Sequence, residues 1–289
     1  MDAIKLSSKL ISFKSISPQS SGSIEYISKV LEKENFSCHI LEFGGKKIKN
    51  LFAYFKGGNG PTLCFAGHTD VVPAGNLAKW KTNPFKAEIK EGKLFGRGSS
   101  DMKTGIASFI SATSDFLKEN KTFSGTICFL ITSDEEGEAE FGTKSVVEWI
   151  IKKKIKINFC LVGEPTNPKE LGEMVKIGRR GSLNGVLKVK GVQGHVAYPE
   201  KAHNPINDVV DVCQSLNEPL DKGSKTFQPS NLEITSIDVG NDITNLIPDE
   251  AKIMFNVRFN NNFNSKKIMQ IIENRLKKLN VEFELSIKI

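Results

Sequence analysis

The chain has 289 residues, of which 39% are hydrophobic and 25% charged. That composition excludes wholesale disorder, and the length suits two domains at roughly 100–200 residues each. The net charge of +7 would suit an anionic partner, but the runs Lys46-Lys47, Lys152–Lys154 and Lys277-Lys278 are short, scattered and free of interleaved aromatics. We expect solvated faces and no nucleic-acid partner.

In chain order, Ile24, Ile27, Val30 and Leu31 recur at helical spacing after a serine cap, predicting a helix over 23–35. Strand-like runs follow at 51–55 and 62–66, then a helix over 104–119 with Ile106, Phe109, Ile110 and Phe116 on one side. Residues 126–132 (TICFLIT) and 157–162 (INFCLV) are continuous apolar runs, the pattern of strands buried on both faces, with a helix over 143–152 between them. Such alternation predicts an open α/β sheet. Beyond Gly178 the pattern changes to half-exposed strands at 182–191, 231–239, 251–259 and 281–288, with helices at 205–217 and 265–279. An α+β domain with one solvated sheet face is expected there, giving domains of 1–179 and 180–289.

Five cysteines without CxxC spacing fit a reducing, cytoplasmic setting, and Cys64, Cys128 and Cys160 stand within apolar runs as small hydrophobes. Residues 1–5 lack the basic flank and apolar stretch of a leader. No apolar run approaches membrane-spanning length, so no membrane partner is expected.

The chemistry concentrates where three apolar runs end. TLCFAGHTD (62–70), TICFLITSDEE (126–136) and INFCLVGE (157–164) each deliver His or carboxylate side chains past a strand's carboxyl end, the edge where open α/β sheets bind ligands. His68, Asp70, Asp134, Glu135, Glu136 and Glu164 could therefore converge, and GRGSSDMKTG (96–105) adds Asp101 in a loop before a helix. One imidazole among many carboxylates suits zinc or a similar divalent ion, and without a cation the carboxylates would repel one another. Asp70, two residues from His68 in extended backbone, is placed to orient the imidazole. Glu135 and Glu136 are adjacent and project differently, so one can ligate while the other acts as general base.

At these residues the sequence resembles the zinc aminoacylase and carboxypeptidase family of co-catalytic metallohydrolases. GHTDVVPAG (67–75), GRGSSDMKTG (96–105), SDEEGEAEFGT (133–143) and VGEPT (162–166) carry the general resemblance. GRRGSL (178–183), QGHVAYP (193–199) and FNVRF (255–259) carry a narrower one, to the branch acting on succinylated amino acids. The resemblance implies two zinc ions, with cobalt as a substitute. His68, Asp101 and Glu164 would hold one, and Asp101 would bridge to a second that Glu136 also binds. Asp70 would orient His68, Glu135 would be the general base, and the Asp101–Met102 peptide would be cis. It further implies a lid that makes a homodimer and lends His195 to the partner's site as an oxyanion donor. Arg179, Ser182, Tyr198, Asn245 and Arg258 would contact a small anionic substrate, while Arg180 and His203 would be structural.

The expected reaction is hydrolysis of the amide of N-succinyl-LL-2,6-diaminopimelate. Other N-acyl amino acid deacylases or dipeptidases of the family, and a non-catalytic dimerising remnant, are the alternatives. The family pattern carries further sheet, a substrate loop and a second-zinc histidine after the lid. The resemblance therefore implies a second metal site with one ligand fewer over residues 1–289 and impaired activity for this stretch.

Overall fold

The computed structural model describes residues 1–45 and 48–288; Lys46, Lys47 and Ile289 lie outside it. The chain divides into two compact units, Met1–Met174 and Val175–Ile289.

The first unit opens with α1 (Ala3–Ser12), started by Asp2, whose side chain accepts the N–H groups of Ile4 and Lys5. In α2 (Ser23–Lys33) the apolar stripe Ile24, Ile27 and Leu31 is buried as its spacing predicts. The expected serine cap is not what starts it. Gly22 takes the cap position in the left-handed region, where a residue without Cβ is unstrained, and Ser23 turns inward to donate to Ser20 O.

Strands β1 (Ser37–Phe43), β2 (Ile48–Lys56) and β3 (Thr62–His68) come next, then a short hairpin of β4 (Glu88–Lys90) and β5 (Lys93–Phe95). They are followed by α3 (Thr104–Glu119), β6 (Thr126–Thr132), α4 (Thr143–Lys152) and β7 (Phe159–Val162). The main sheet runs β1-β2-β6-β3-β7, antiparallel from β1 to β6 and parallel across β6, β3 and β7. One face is covered by α1, α2 and α3. There the rings of Phe65 and Phe109 stack at 4.6 Å while Phe109 meets Phe129 edge-on at 5.4 Å. Burying the Phe65 and Phe129 rings stabilises the fold by about 1.5–3 kcal/mol each. The other face receives α4 through Val146 and Ile150.

Strand β6 is buried as expected, but β7 is not: Phe159, Cys160, Leu161 and Val162 are exposed. As the outer strand, β7 has a single neighbour, so its apolar run is uncovered among the described residues. Cys64 and Cys128 act as small buried hydrophobes, whereas Cys160 is exposed.

In the second unit, β8 (Gly181–Lys190), the short β9 (Gly194–His195), α5 (Pro205–Leu216), β10 (Asn231–Asp238), the short β11 (Leu246–Ile247), β12 (Glu250–Phe259), α6 (Ser265–Leu276) and β13 (Phe283–Lys288) follow in order. Their antiparallel sheet β10-β12-β8-β13 alternates as read: Leu183, Leu187, Val189, Ile253, Phe255 and Val257 point into one core against α5 and α6. Gly185 is required there, because a Cβ would lie 2.0 Å from the Phe255 ring. Both helices begin at asparagine caps, Asn204 and Asn264. No described helix is long and apolar enough to cross a membrane.

Candidate metal centre

The parallel strands β3, β6 and β7 all end at one edge of the sheet, and each delivers acidic or imidazole groups there. His68 is the last residue of β3 and is buried. Its Nε2 lies 3.0 Å from Asp101 Oδ1, 3.4 Å from Glu164 Oε1 and 3.8 Å from Glu135 Oε2. Ligand atoms of His68, Glu135 and Glu164 fall within 4.8 Å of one another, as do those of His68, Asp101 and Glu136. The two groups share the imidazole, so one histidine and four carboxylates converge.

Asp70 is fully buried beneath this cluster. Its Oδ2 accepts the backbone N–H of Glu135 and of Glu136, each at 3.0 Å. The closest partner of His68 Nδ1 is the Asp70 carbonyl at 2.9 Å, with the carboxylate Oδ1 at 3.6 Å. The imidazole is thus steered by both the main chain and the side chain of Asp70. The carboxylate also ties the end of β3 to the loop after β6.

Asp134, a member of the strand-end cluster in sequence, does different work. Its carboxylate turns away to accept the N–H groups of Ala139 and Phe141 and shapes the loop that carries Glu135 and Glu136. Three supports carry no ligand-type signature in sequence. Thr132 Oγ1 accepts the Asp134 N–H, Ser15 donates to Thr69 O at 2.6 Å, and the fully buried Lys103 donates from Nζ to Phe13 O at 2.9 Å. A lysine at the start of an apolar helix is the one hint that Lys103 is buried. The Asp101–Met102 peptide is cis, as the resemblance implied.

Charge at the site is unbalanced. Burial by itself would push the His68 imidazole below its ordinary value, but Asp70 and Glu164 outweigh it and raise it to about 9. Burial, then the neighbouring Asp101, raise both Glu136 and Glu164 above the usual carboxylate range. Burial resists ionisation of Asp70 too, yet the neighbouring His68 and Ser17 side chains and the bond from the Glu136 N–H prevail and lower it. A proton on the imidazole is thus drawn among several carboxylates, with the Lys103 ammonium acting on Asp70 from below, and the buried Asp70 Oδ1 has no hydrogen-bond partner. A divalent cation fits this donor set.

The second unit arranges the remaining predicted residues in two places. In one, His195 pairs with Leu246 across β9 and β11, Asn245 O accepts the Val196 N–H at 3.1 Å, and the Tyr198 and His195 rings lie 6.1 Å apart. The backbone N–H of Ala197 donates to His195 Nδ1, which leaves Nε2 as the N–H donor of the exposed ring. In the other, Arg258 and Ser182 are paired across β12 and β8, on the solvent side of the sheet. Arg179 is exposed just before β8. Arg180 binds Pro229 O and Asn231 Oδ1, and His203 pairs with Asp208 at 2.6 Å, both within the framework.

The sequence pattern of "Peptidase family M20/M25/M40" matches residues 64–287. Similar curated relatives include the succinyl-diaminopimelate desuccinylase of Wolbachia pipientis wMel, 48% identical over 287 residues, covering 99% of this chain and 72% of that one. The enzyme of the same name from Rickettsia prowazekii (strain Madrid E) is 50% identical over 268 residues, covering 91% and 70%. Among solved structures, an M20 family metallo-carboxypeptidase from Sulfolobus solfataricus superposes with a TM-score of 0.75 at 18% identity, covering 99% of this chain and 78% of its own. A dinuclear metal-binding M20 peptidase of Bacillus subtilis gives 0.68 at 17% identity, covering 99% and 72%. At such identities the structures establish a shared fold. With the family pattern spanning most of the chain and relatives nearly half identical along almost all of it, this chain belongs to peptidase family M20/M25/M40.

Proposed function

We propose that the protein hydrolyses the amide bond of N-succinyl-LL-2,6-diaminopimelate, yielding succinate and LL-2,6-diaminopimelate with zinc as its metal. The observation that carries this reading is the placement of Glu135 beside a histidine–carboxylate cluster, its backbone held by Asp70. Relatives at 48–50% identity bearing the desuccinylase name support the choice of substrate.

His68, Asp101, Glu136 and Glu164 would hold the metal. Zinc, when bound, supplies Lewis acidity that polarises the scissile carbonyl and makes a water acidic enough to attack at neutral pH. Glu135 takes a proton from the attacking water and returns it to the departing amine. Its carboxylate is 43% exposed and so open to the substrate side. Asp70 keeps the His68 ring in one orientation and the Glu135 main chain in one place, so neither must reorganise during the reaction.

The oxyanion donor in this reading is His195 of a second subunit, in a homodimer formed through the second unit. Its Nε2–H, fixed by the Ala197 bond, has the polarity the role needs. Arg258 and Arg179, with Ser182, Tyr198 and Asn245, would receive the substrate carboxylates and succinyl group, because a guanidinium binds a carboxylate through two parallel bonds.

The test is hydrolysis of N-succinyl-LL-2,6-diaminopimelate by zinc-loaded protein, run beside N-acetyl amino acids and dipeptides. Preference for the succinyl substrate is expected. Faster turnover of acetyl substrates or dipeptides would replace this reading with another amidohydrolase of the family.

A further inference from the structure

At the opposite end of the same strands lies a second hollow, of about 790 Å³, that shares no residue with the metal centre. It is lined by the first residues of β3 and β6, Thr62 and Thr126, whereas His68 ends β3. Thr62 and His68, at the two ends of β3, are about 20 Å apart at roughly 3.3 Å per residue. The volume falls within the range of about 300–1,000 Å³ typical of small-molecule sites.

One wall is aromatic. His39 stacks on Tyr54 at 6.0 Å with 14° between the rings, and Trp149 of α4 approaches His39 at 5.7 Å. None of the three rings is fully buried, and all three line the hollow. Leu41, Phe52, Cys128 and Ile155 add apolar lining, and the charged side chains are three lysines. Lys56 comes from the end of β2, and Lys153 and Lys156 from the turn after α4. Lys153 Nζ stands 5.9 Å from the Trp149 ring centroid. No ion pair found among the described residues uses any of these three lysines.

We propose that this hollow binds a nucleoside monophosphate, its base stacked on the His39–Tyr54–Trp149 wall and its phosphate among Lys56, Lys153 and Lys156. The wall recognises a planar π system, since stacking on aromatic side chains is tolerant of base identity. Three unpaired ammonium groups exceed what one carboxylate neutralises and match a phosphate dianion, which lysine binds as a point charge. Neither half suffices alone: a free base lacks the charge, and inorganic phosphate lacks the stacking surface.

The chain contains two tryptophans, so Trp80→Phe leaves Trp149 as the sole indole reporter. Adenosine 5′-monophosphate is titrated into this protein by calorimetry and by fluorescence, beside adenosine, inorganic phosphate and benzoate. Saturable heat with a change in Trp149 emission at millimolar nucleotide is expected, with each of the other three probes weaker by about tenfold or more. Lys153→Glu with Lys156→Glu should weaken the nucleotide by at least about tenfold at an unchanged thermal midpoint. Lys56→Glu serves if the double variant fails to fold. The proposal is overturned by absence of nucleotide binding at millimolar concentration, or by binding that the lysine variants leave intact. Adenosine, phosphate or benzoate binding as tightly as the nucleotide also overturns it.

Discussion

Asp70 Oδ2 accepts the backbone N–H of Glu135 at 3.0 Å, linking the end of β3 to the residue read here as the general base. The same oxygen accepts the Glu136 N–H, while the other side of Asp70 meets His68. One buried carboxylate thus sets the positions of an imidazole, a base and a ligand. Asp70→Ala leaves two partly buried N–H groups without an acceptor, at up to about 1 kcal/mol each, since water can reach them in part. Thermal unfolding should register that loss, and turnover should fall with it. Asp70→Asn, which keeps one acceptor oxygen, should lie between; equal stability and activity in all three proteins would refute the linkage.

Glu135→Gln separates proton transfer from metal binding. The amide keeps the shape of the side chain and cannot accept the proton, so kcat should drop by about 10²–10⁴-fold. Calorimetric zinc affinity should be unchanged. A variant that loses zinc and activity together would make Glu135 a ligand instead, consistent with its closeness to His68 and Glu164.

Metal removal has a stability signature as well as an activity one. Zinc at about 100 times its dissociation constant should stabilise the folded protein by about 2.7 kcal/mol, and a chelator should reverse this. His68→Ala should abolish the rise in unfolding midpoint, because both ligand groups share that imidazole. A full zinc response in His68→Ala would place the metal elsewhere.

Helix α3 packs so closely on the end of β7 that a Cβ on Gly105 would lie 2.7 Å from the Gly163 carbonyl oxygen. Backbone on backbone leaves nothing flexible to yield. Gly105→Ala should destabilise the protein by about 1–3 kcal/mol. It should also weaken zinc binding, since Glu164 is the next residue along. Loss of stability with zinc affinity intact would show that the end of β7 moves without carrying Glu164.

On the solvent side of the second sheet, Arg258→Lys replaces a fork of donors by a single point charge. If Arg258 receives a substrate carboxylate, KM should rise by about tenfold or more with kcat little changed. An unchanged KM would leave Arg258 as a surface residue.

Much of the site is legible in the sequence. Three apolar runs each ending in His, Asp or Glu point to one sheet edge because parallel strands share a direction, and His68, Glu135, Glu136 and Glu164 do meet there. Asp134 was not separable from them by spacing, because whether a carboxylate turns to a cation or to its own loop depends on the path of residues 137–142. Burial of β7 was misjudged for a related reason. An apolar run records what a strand could bury, not how many neighbours it has.

Local pattern, then, determined most of the longer helices and strands, though not α1 or β1, together with the two sheet types and the identity of the ligand-type residues, since periodicity and strand-end chemistry act within a few residues. Only the tertiary structure decided that Asp70 grips two N–H groups sixty-odd residues away, and that Lys103 hides its charge beneath the site. It also decided that His39, Tyr54 and Trp149 share one wall with three lysines. Such contacts join residues remote in sequence, and their energies depend on distances that no local pattern encodes. Asp70 therefore appears in the sequence as an orienting residue for His68, and in the fold as the joint that also holds the base.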